Sequence, residues 1–217
     1  QCARYFPRAQ VEGVEIDAKI TELAARYFAM PDSVEVSTYD GRAYLQASDA
    51  KYDVILVDAY QDITIPFQMS SREFFTLVRE HLREGGVMVV NLNMTTDSEN
   101  GINAALCDTI SGVFTGVCTA DVAGNSNREL FASDGTDPAA LLEKNRSGLT
   151  DPELSGLMRT VSETLKPYEA GQTQLTDDCA PVEVLGMRML DAYISRALKD
   201  YQQVFRTKGI SGLLTAL

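Results

Sequence analysis

The run Tyr52–Val57 (YDVILV) constrains the fold most, because it is almost continuously apolar. Such a run is typical of a strand that is buried on both faces, as in a parallel sheet. Further strand-like segments end near Ile16, near Thr38 and at Val90, and stretches with helical spacing of apolar residues lie between them. This alternation predicts an α/β fold with a mainly parallel, doubly wound sheet, in which the strand ending at Val57 is central.

The second half of the chain gives less regular signals. Gly116–Val122 and Glu129–Ala132 predict a terminal antiparallel pair of strands. Ser70–Glu73 has the pattern of a capping box at the start of a helix, and Gly85-Gly86 predicts the end of that helix. Residues 166–181 are expected to form a mobile loop. We expect one Rossmann-like domain over residues 1–217, with C-terminal helices from residues 151–217 packed on it.

Charge and cysteine content exclude several classes of function. The 217 residues carry a formal net charge of −12, which disfavours binding to nucleic acid or to an anionic membrane surface and attracts cationic ligands. The 4 cysteines form no CxxC pair, so reduced thiols in a cytoplasmic protein are expected rather than disulfides or a zinc site. No apolar run approaches the roughly 20 residues that a membrane-spanning helix needs.

Acidic residues follow three successive predicted strands, at Glu15, Asp40 and Asp58. In open parallel sheets, ligands bind beyond the carboxyl ends of the strands. One such acid can accept hydrogen bonds from both ribose hydroxyls, a second from an exocyclic amine, and a third can face the reacting end of the ligand. Taken singly, each acid could instead cap a helix or form a turn, as Asp40-Gly41 often does. Together they predict a nucleoside site.

The same segments resemble the polyamine aminopropyltransferases, and among them the bacterial spermidine-synthase-like proteins. The residues that carry the resemblance are Val14–Asp17, Asp40–Arg42, Tyr52–Asp58, Pro66, Phe74-Phe75, Gly85–Val87, Leu175–Asp178 and Ala180–Glu183. The resemblance implies a class I methyltransferase-like Rossmann fold. It also implies transfer of an aminopropyl group from decarboxylated S-adenosylmethionine to putrescine or a related amine.

The resemblance also implies roles for individual residues. Glu15 would hold the ribose, Asp40 with Gly41 would hold the adenine, and Asp58 with Ala59 would lie beside the reacting end of the cofactor. Asp58 would then bind the alkylammonium substrate and accept its proton, without a metal or a covalent intermediate. A homodimer is expected, and the aromatic stripe of the last helix is expected in the core or in such an interface.

Two departures from the family pattern concern the substrate side. Residues 59–66 lack the Asp-Pro and Gly-Pro pairs that are usual in the family. The family places a second acid three positions after Asp58, whereas this chain has Gln61 there and Asp62 next to it. Either a one-residue adjustment of the loop presents Asp62 as the second catalytic acid, or this acid is functionally absent. Tyr60 is expected either to line the substrate pocket or to pack at the sheet edge. Asp177 and Asp178 are expected to line the entrance for a polycation, with helix capping as the alternative.

A third departure concerns the first strand and glycine-rich loop of the family, which are expected to precede Gln1. In the family this strand lies between the two that end here at Glu15 and Asp58. We therefore expect those two strands not to pair directly, and we expect two unpaired strand edges. The parent protein could also carry an upstream membrane region, as some relatives do.

Two alternatives remain open on sequence alone. One is a small-molecule methyltransferase that uses S-adenosylmethionine, since Glu15 and Asp40 serve either cofactor. The other is a non-catalytic nucleoside-binding domain with the same fold. A catalytic triad would depend on His81, the single histidine, which is expected to be a partly buried or helix-capping residue instead.

Overall fold

A computed structural model describes residues 1–31, 33–60, 65–93, 101–122 and 127–214. The strands are β1 (Glu12–Glu15), β2 (Glu35–Thr38), β3 (Tyr52–Val57), β4 (Leu82–Leu92), β5 (Gly116–Asp121), β6 (Arg128–Ser133) and β7 (Lys166–Pro167). The helices are α1 (Cys2–Tyr5), α2 (Ala18–Tyr27), α3 (Gly41–Ala47), α4 (Arg72–His81), α5 (Ile102–Ser111), α6 (Pro138–Arg146), α7 (Pro152–Thr164) and α8 (Val182–Leu214), with a 3-10 turn at Phe67–Met69.

The strands form a parallel pair, β1–β2, and a five-stranded sheet of order β3-β4-β6-β5-β7. In the larger sheet β3 and β4 are parallel, while the pairs that involve β5, β6 and β7 are antiparallel. The α/β class with a parallel core is thereby confirmed, as is the predicted antiparallel β5–β6 pair. The prediction that the strand ending at Val57 is central is wrong for this sheet, because β3 forms its edge.

The open side of β3 agrees with the expected lack of pairing between β1 and β3. Among the described residues the two strands share no ladder hydrogen bond. The prediction that this strand is buried on both faces is wrong, because Val54 and Leu56 on one of its faces are 54% and 65% exposed. The hydroxyls of Tyr44 on α3 and Tyr52 on β3 both donate to the carboxylate of Glu12 on β1. Side chains therefore link the two sheets where backbone pairing does not.

The core lies where α4 and α5 pack on the sheet. Phe74, Phe75 and Val78 of α4 are fully buried with Met88 and Val90 of β4. Burial alternates along β4, so that one of its faces is inside the core and the other is half-buried. This alternation fixes which side chains of β4 can reach a ligand.

Two sequence predictions about α4 need correction. The helix ends at His81, before Gly85-Gly86, and β4 runs through both glycines with Gly85 at a φ of +73°. Its N-cap is Ser71, whose hydroxyl accepts from the Phe74 N–H, so Glu73 stands one position too early for a capping box. His81 is buried with its ring nitrogens 2.8 and 2.9 Å from backbone carbonyl oxygens, as expected for a structural histidine.

Residues 166–181 do not form the mobile loop that the sequence suggested, because two buried residues of α5, Asp108 and Thr109, hold residues 168–175 in place. The Asp108 carboxylate accepts hydrogen bonds from the Tyr168 hydroxyl (2.7 Å) and from the backbone N–H groups of Gly171 (2.8 Å) and Thr173 (3.1 Å). The Leu175 N–H donates to the buried Thr109 hydroxyl at 2.9 Å. The sequence does not indicate this role, because an aspartate and a threonine inside a helix, Asp108 and Thr109, have no local pattern that predicts contacts with residues 168–175.

No helix in the described part of the chain is long and apolar enough to cross a membrane.

Candidate active site

The acid predicted at the reaction centre lies at the carboxyl end of β3. Val57 is paired with Val90 of β4, so Asp58 stands beside Asn91 in the next position. The Asn91 side-chain N–H donates to Asp58 Oδ1 at 2.9 Å. Asp58 is exposed, and no described lysine or arginine forms an ion pair with it. Its carboxylate is therefore oriented by an amide and open to a cation.

Asn91 is itself held from the other side. Its Oδ1 accepts from Asn127 Nδ2 at 3.0 Å, so both ends of the amide have a partner. Asn91 and Glu129 are directly opposite in the antiparallel β4–β6 ladder, and such partners point to the same face. Asp58, Asn91 and Glu129 therefore form one row across three neighbouring strands.

Glu129 is a member of this row that the sequence analysis did not identify as functional. It is half-buried, and this burial, followed by the negative charge of Asp58, raises the pKa of its carboxyl above the usual 4.5. One signal was available, since β6 was predicted to begin at this acid. An antiparallel strand begins at the edge where its parallel neighbours end, so an acid at its start lies at the same edge of the sheet as Asp58. The sequence does not indicate the register that sets Glu129 opposite Asn91.

Tyr60 is also part of this region, and its hydroxyl is already bonded. It donates to the carbonyl oxygen of Asn91 and accepts from the Asn93 N–H at 3.0 Å. Burial, and to a smaller extent the charge of Asp58, raises the pKa of the phenol to about 12. Tyr60 thus fixes the chain after β3 to the end of β4, and Ala59 is half-buried between Asp58 and Tyr60. Asp62 and Gln61 lie outside the described residues.

Glu15 and Asp40 both lie at the carboxyl edge of the β1–β2 pair. Glu15 accepts the Asp17 N–H at 2.9 Å through Oε1, and its carbonyl oxygen accepts from Tyr39, which precedes Asp40. Asp40 Oδ1 caps α3 by accepting from Ala43 at 2.8 Å, so Gly41 is the first residue of that helix. Within the described residues, no hydrogen bond involves the second oxygen of either carboxylate. Each acid thus combines the local turn or capping role with one oxygen left for a ligand.

Asp177 has a cation of its own, unlike Asp58. Arg42, the second residue of α3, donates to its two oxygens at 2.7 and 2.6 Å, and the Ser71 hydroxyl donates at 2.5 Å. The Asp177 N–H donates to Glu73 at 3.0 Å. The structure thus brings Asp177 to Arg42 in the first turn of α3, the helix that Asp40 caps, and no hydrogen bond among the described residues joins it to Asp58. The neighbouring Asp178 is exposed, and a contact of either acid with substrate stays a prediction.

Among the described residues, no three histidine, cysteine, aspartate or glutamate side chains gather as the ligands of a metal ion would.

Comparison with known proteins identifies a relative of this chain and structures that share its fold. A "probable polyamine aminopropyl transferase" of Bifidobacterium longum is 49% identical over the whole of this chain, and the chain spans 52% of that relative. Two solved structures share the fold. Human methyltransferase-like protein 13 has a TM-score of 0.57 at 24% identity and matches 82% of this chain and 81% of its own. A probable spermidine synthase of Corynebacterium glutamicum has a TM-score of 0.54 at 21% identity and matches 78% of this chain and 66% of its own.

The family itself follows from a sequence model. The spermine/spermidine synthase domain matches residues 3–123, which include β1 to β5 and the acids Glu15, Asp40 and Asp58. That match extends over more than half of the chain. The chain therefore belongs to the spermine/spermidine synthase family.

Proposed function

We propose that the protein is an aminopropyltransferase, which moves an aminopropyl group from decarboxylated S-adenosylmethionine to putrescine or a related amine. The observation that carries this proposal is Asp58, an exposed carboxylate that Asn91 orients at the carboxyl edge of the sheet and that has no described cationic partner. The name of the Bifidobacterium longum relative supports the same reaction.

The nucleoside end of the site would be formed by β1, β2 and α3. Glu15 would accept hydrogen bonds from the ribose hydroxyls and Asp40 from the adenine amine, each through the oxygen that its local turn leaves over. Gly41 would line the purine through its backbone, and Ala59 would lie beside Asp58 at the reacting end. These residues fit a purine nucleoside, because its ribose hydroxyls and adenine amine can donate strong, charge-assisted hydrogen bonds to the two carboxylates.

The reacting end would use Asp58 as the base. An alkylammonium group must lose one proton before its nitrogen can form the new carbon–nitrogen bond, and Asp58 would take that proton. The carbon–sulfur bond of the donor breaks in the same displacement, so methylthioadenosine leaves and no redox change occurs. The new secondary amine keeps its two remaining protons as an ammonium group, and the proton on Asp58 passes to solvent, which restores the carboxylate. Asp62 would attract the cationic amine. Tyr60 would line the substrate pocket beside Asp58. Asp177 and Asp178 would line the entrance to the pocket.

Methyl transfer from S-adenosylmethionine is the alternative that the shared fold allows, because human methyltransferase-like protein 13 has that fold too. The spermine/spermidine synthase match and the acids at the reacting end favour the aminopropyl reaction instead.

We further propose a cytoplasmic homodimer. The apolar stripe of α8 supports the dimer, because at least 46% of each of Tyr193, Ile194, Leu198 and Phe205 is exposed in one chain. All 4 cysteines are free, including the exposed Cys2 and Cys179, which supports a reducing compartment.

The decisive experiment identifies products. The full chain is incubated with putrescine, spermidine or cadaverine, and with either decarboxylated S-adenosylmethionine or S-adenosylmethionine. Formation of methylthioadenosine together with the extended amine is expected. S-adenosylhomocysteine with a methylated amine would show the methyltransferase instead. Tight binding of methylthioadenosine without turnover of any amine would show a non-catalytic domain.

A further inference from the structure

Glu129 occupies a position that its environment does not favour for a carboxylate. It is half-buried at the start of β6, its charge is opposed by that of Asp58, and no described arginine or lysine forms an ion pair with it. Its neighbour Arg128 is bonded to Asp121 at 2.6 Å instead. A half-buried acid beside a second acid is a costly arrangement unless something positive comes to lie between them.

The row across the sheet gives this pair of acids a defined geometry. Asp58 extends from β3, Asn91 from β4 and Glu129 from β6, and the last two are ladder partners on the same face. Neighbouring strands are about 4.8 Å apart, so the Cα atoms of Asp58 and Glu129 are separated by about 10 Å across Asn91. The amide between them is already fixed by hydrogen bonds to Asp58 and from Asn127.

This arrangement suits a molecule with two ammonium groups at a fixed separation. One ammonium would be held by Asp58, where the proton is removed, and the other by Glu129. The methylene chain between them would pass over Asn91 on the half-buried face of β4. A monoamine would satisfy only one of the two acids and would leave the other unpaired.

We propose that Glu129 binds the non-reacting ammonium group of a diamine substrate and so selects diamines over monoamines. The inference rests on the proposed function, because it takes Asp58 as the site of the reacting amine. Glu129 would contact the substrate directly but would not take part in proton transfer.

The test compares the unmodified full chain with Glu129→Gln, which keeps the shape of the side chain and removes its charge. Glu84→Gln serves as the matched control, since Glu84 is an exposed acid on β4 close to the opposite end of the sheet. Calorimetry measures the binding of putrescine and of butylamine in the presence of methylthioadenosine. Steady-state kinetics with the same two amines measures KM and kcat separately.

Glu129→Gln is expected to weaken putrescine binding and raise its KM by about 10- to 100-fold, the loss expected for one charge-assisted hydrogen bond. In Glu129→Gln, kcat and the affinities for butylamine and methylthioadenosine should stay within about twofold of the unmodified chain. Glu84→Gln should change none of these quantities. Equal putrescine affinity in Glu129→Gln and the full chain would overturn the proposal, as would a full chain that binds no putrescine. The proposed function fails separately, if the full chain binds putrescine but does not convert it with decarboxylated S-adenosylmethionine.

Discussion

Two groups of acids in this molecule differ in what neutralises them. Asp177 accepts two hydrogen bonds from Arg42 and one from Ser71, so its charge is balanced within the protein. Asp58 and Glu129 face each other across Asn91, and no described cation pairs with either. The charge of Asp177 is thus neutralised within the folded protein, whereas Asp58 and Glu129 would be neutralised by the cationic substrate that we propose.

The difference also appears in the direction of the pKa shifts. The hydrogen bonds from Arg42 are the largest cause that lowers the pKa of Asp177 to about 2, while burial and the charge of Asp58 raise the pKa of Glu129. A lowered carboxyl pKa means that the native state stabilises the charge, and a raised one means that it does not. Stabilised acids hold a fold together, and acids with a raised pKa are candidates for binding and catalysis.

The largest effect should come from removing the base. Asp58→Asn keeps the hydrogen-bonding shape beside Asn91 but cannot accept the proton, so kcat should fall by roughly 10²–10⁴ in the full chain. Asp53→Asn is the matched control on the same strand, because Asp53 is exposed and its ion pair with Arg83 is on the surface. The kcat of Asp53→Asn should remain within about twofold of that of the unmodified chain. Turnover that survives Asp58→Asn would remove this residue from the mechanism.

A smaller effect, on stability rather than on rate, is expected at the neutralised acid. Asp177→Asn disrupts the paired hydrogen bonds from Arg42, whose side chain is only 17% exposed, and should lower the free energy of unfolding by about 1–2 kcal/mol. Chemical denaturation at pH 7 measures this loss. The neighbouring Asp178→Asn is the control and should unfold like the unmodified chain. Loss of activity in Asp177→Asn without loss of stability would instead assign Asp177 to the substrate.

The stability loss in Asp177→Asn should depend on pH. The folded-state pKa of Asp177 is below its ordinary value of 3.8, so its contribution to stability is fully present above about pH 4. That contribution is lost as the pH falls towards 2. The stability difference between the full chain and Asp177→Asn should therefore shrink with acidification, and a constant difference would show that charge is not its cause.

The sequence predicted the positions of some acids and not the contacts of others, because local patterns are visible in a sequence and contacts between distant residues are not. Glu15, Asp40 and Asp58 could be placed because each directly follows a strand whose apolar pattern is local. The pairing of Asp177 with Arg42 joins positions 135 residues apart, and no local pattern indicates it. The anchoring of residues 166–175 by Asp108 was missed for the same reason.

The edge position of β3 and the role of Glu129 depend on how strands assemble. The apolar run Tyr52–Val57 indicated a strand with two partners, but only β4 pairs with it among the described residues. Glu129 lay inside a correctly predicted antiparallel strand. Its place beside Asp58 depended on the register of β6 against β4, which a sequence pattern does not fix.

The smallest effect is expected for the stability of Glu129→Gln, and its sign should be opposite to that of Asp177→Asn. The folded-state pKa of Glu129 is above its ordinary 4.5, so the ionised carboxylate opposes folding at neutral pH. Glu129→Gln should therefore be as stable as the full chain or slightly more stable at pH 7, in contrast to Asp177→Asn. This gain should vanish below about pH 4.5, where the carboxyl is protonated in both the folded and the unfolded state. Denaturation curves at pH 7 and pH 4 measure both differences. A clear loss of stability at pH 7 would mean that Glu129 has a stabilising partner within the protein, and the contrast between the two groups of acids would then disappear.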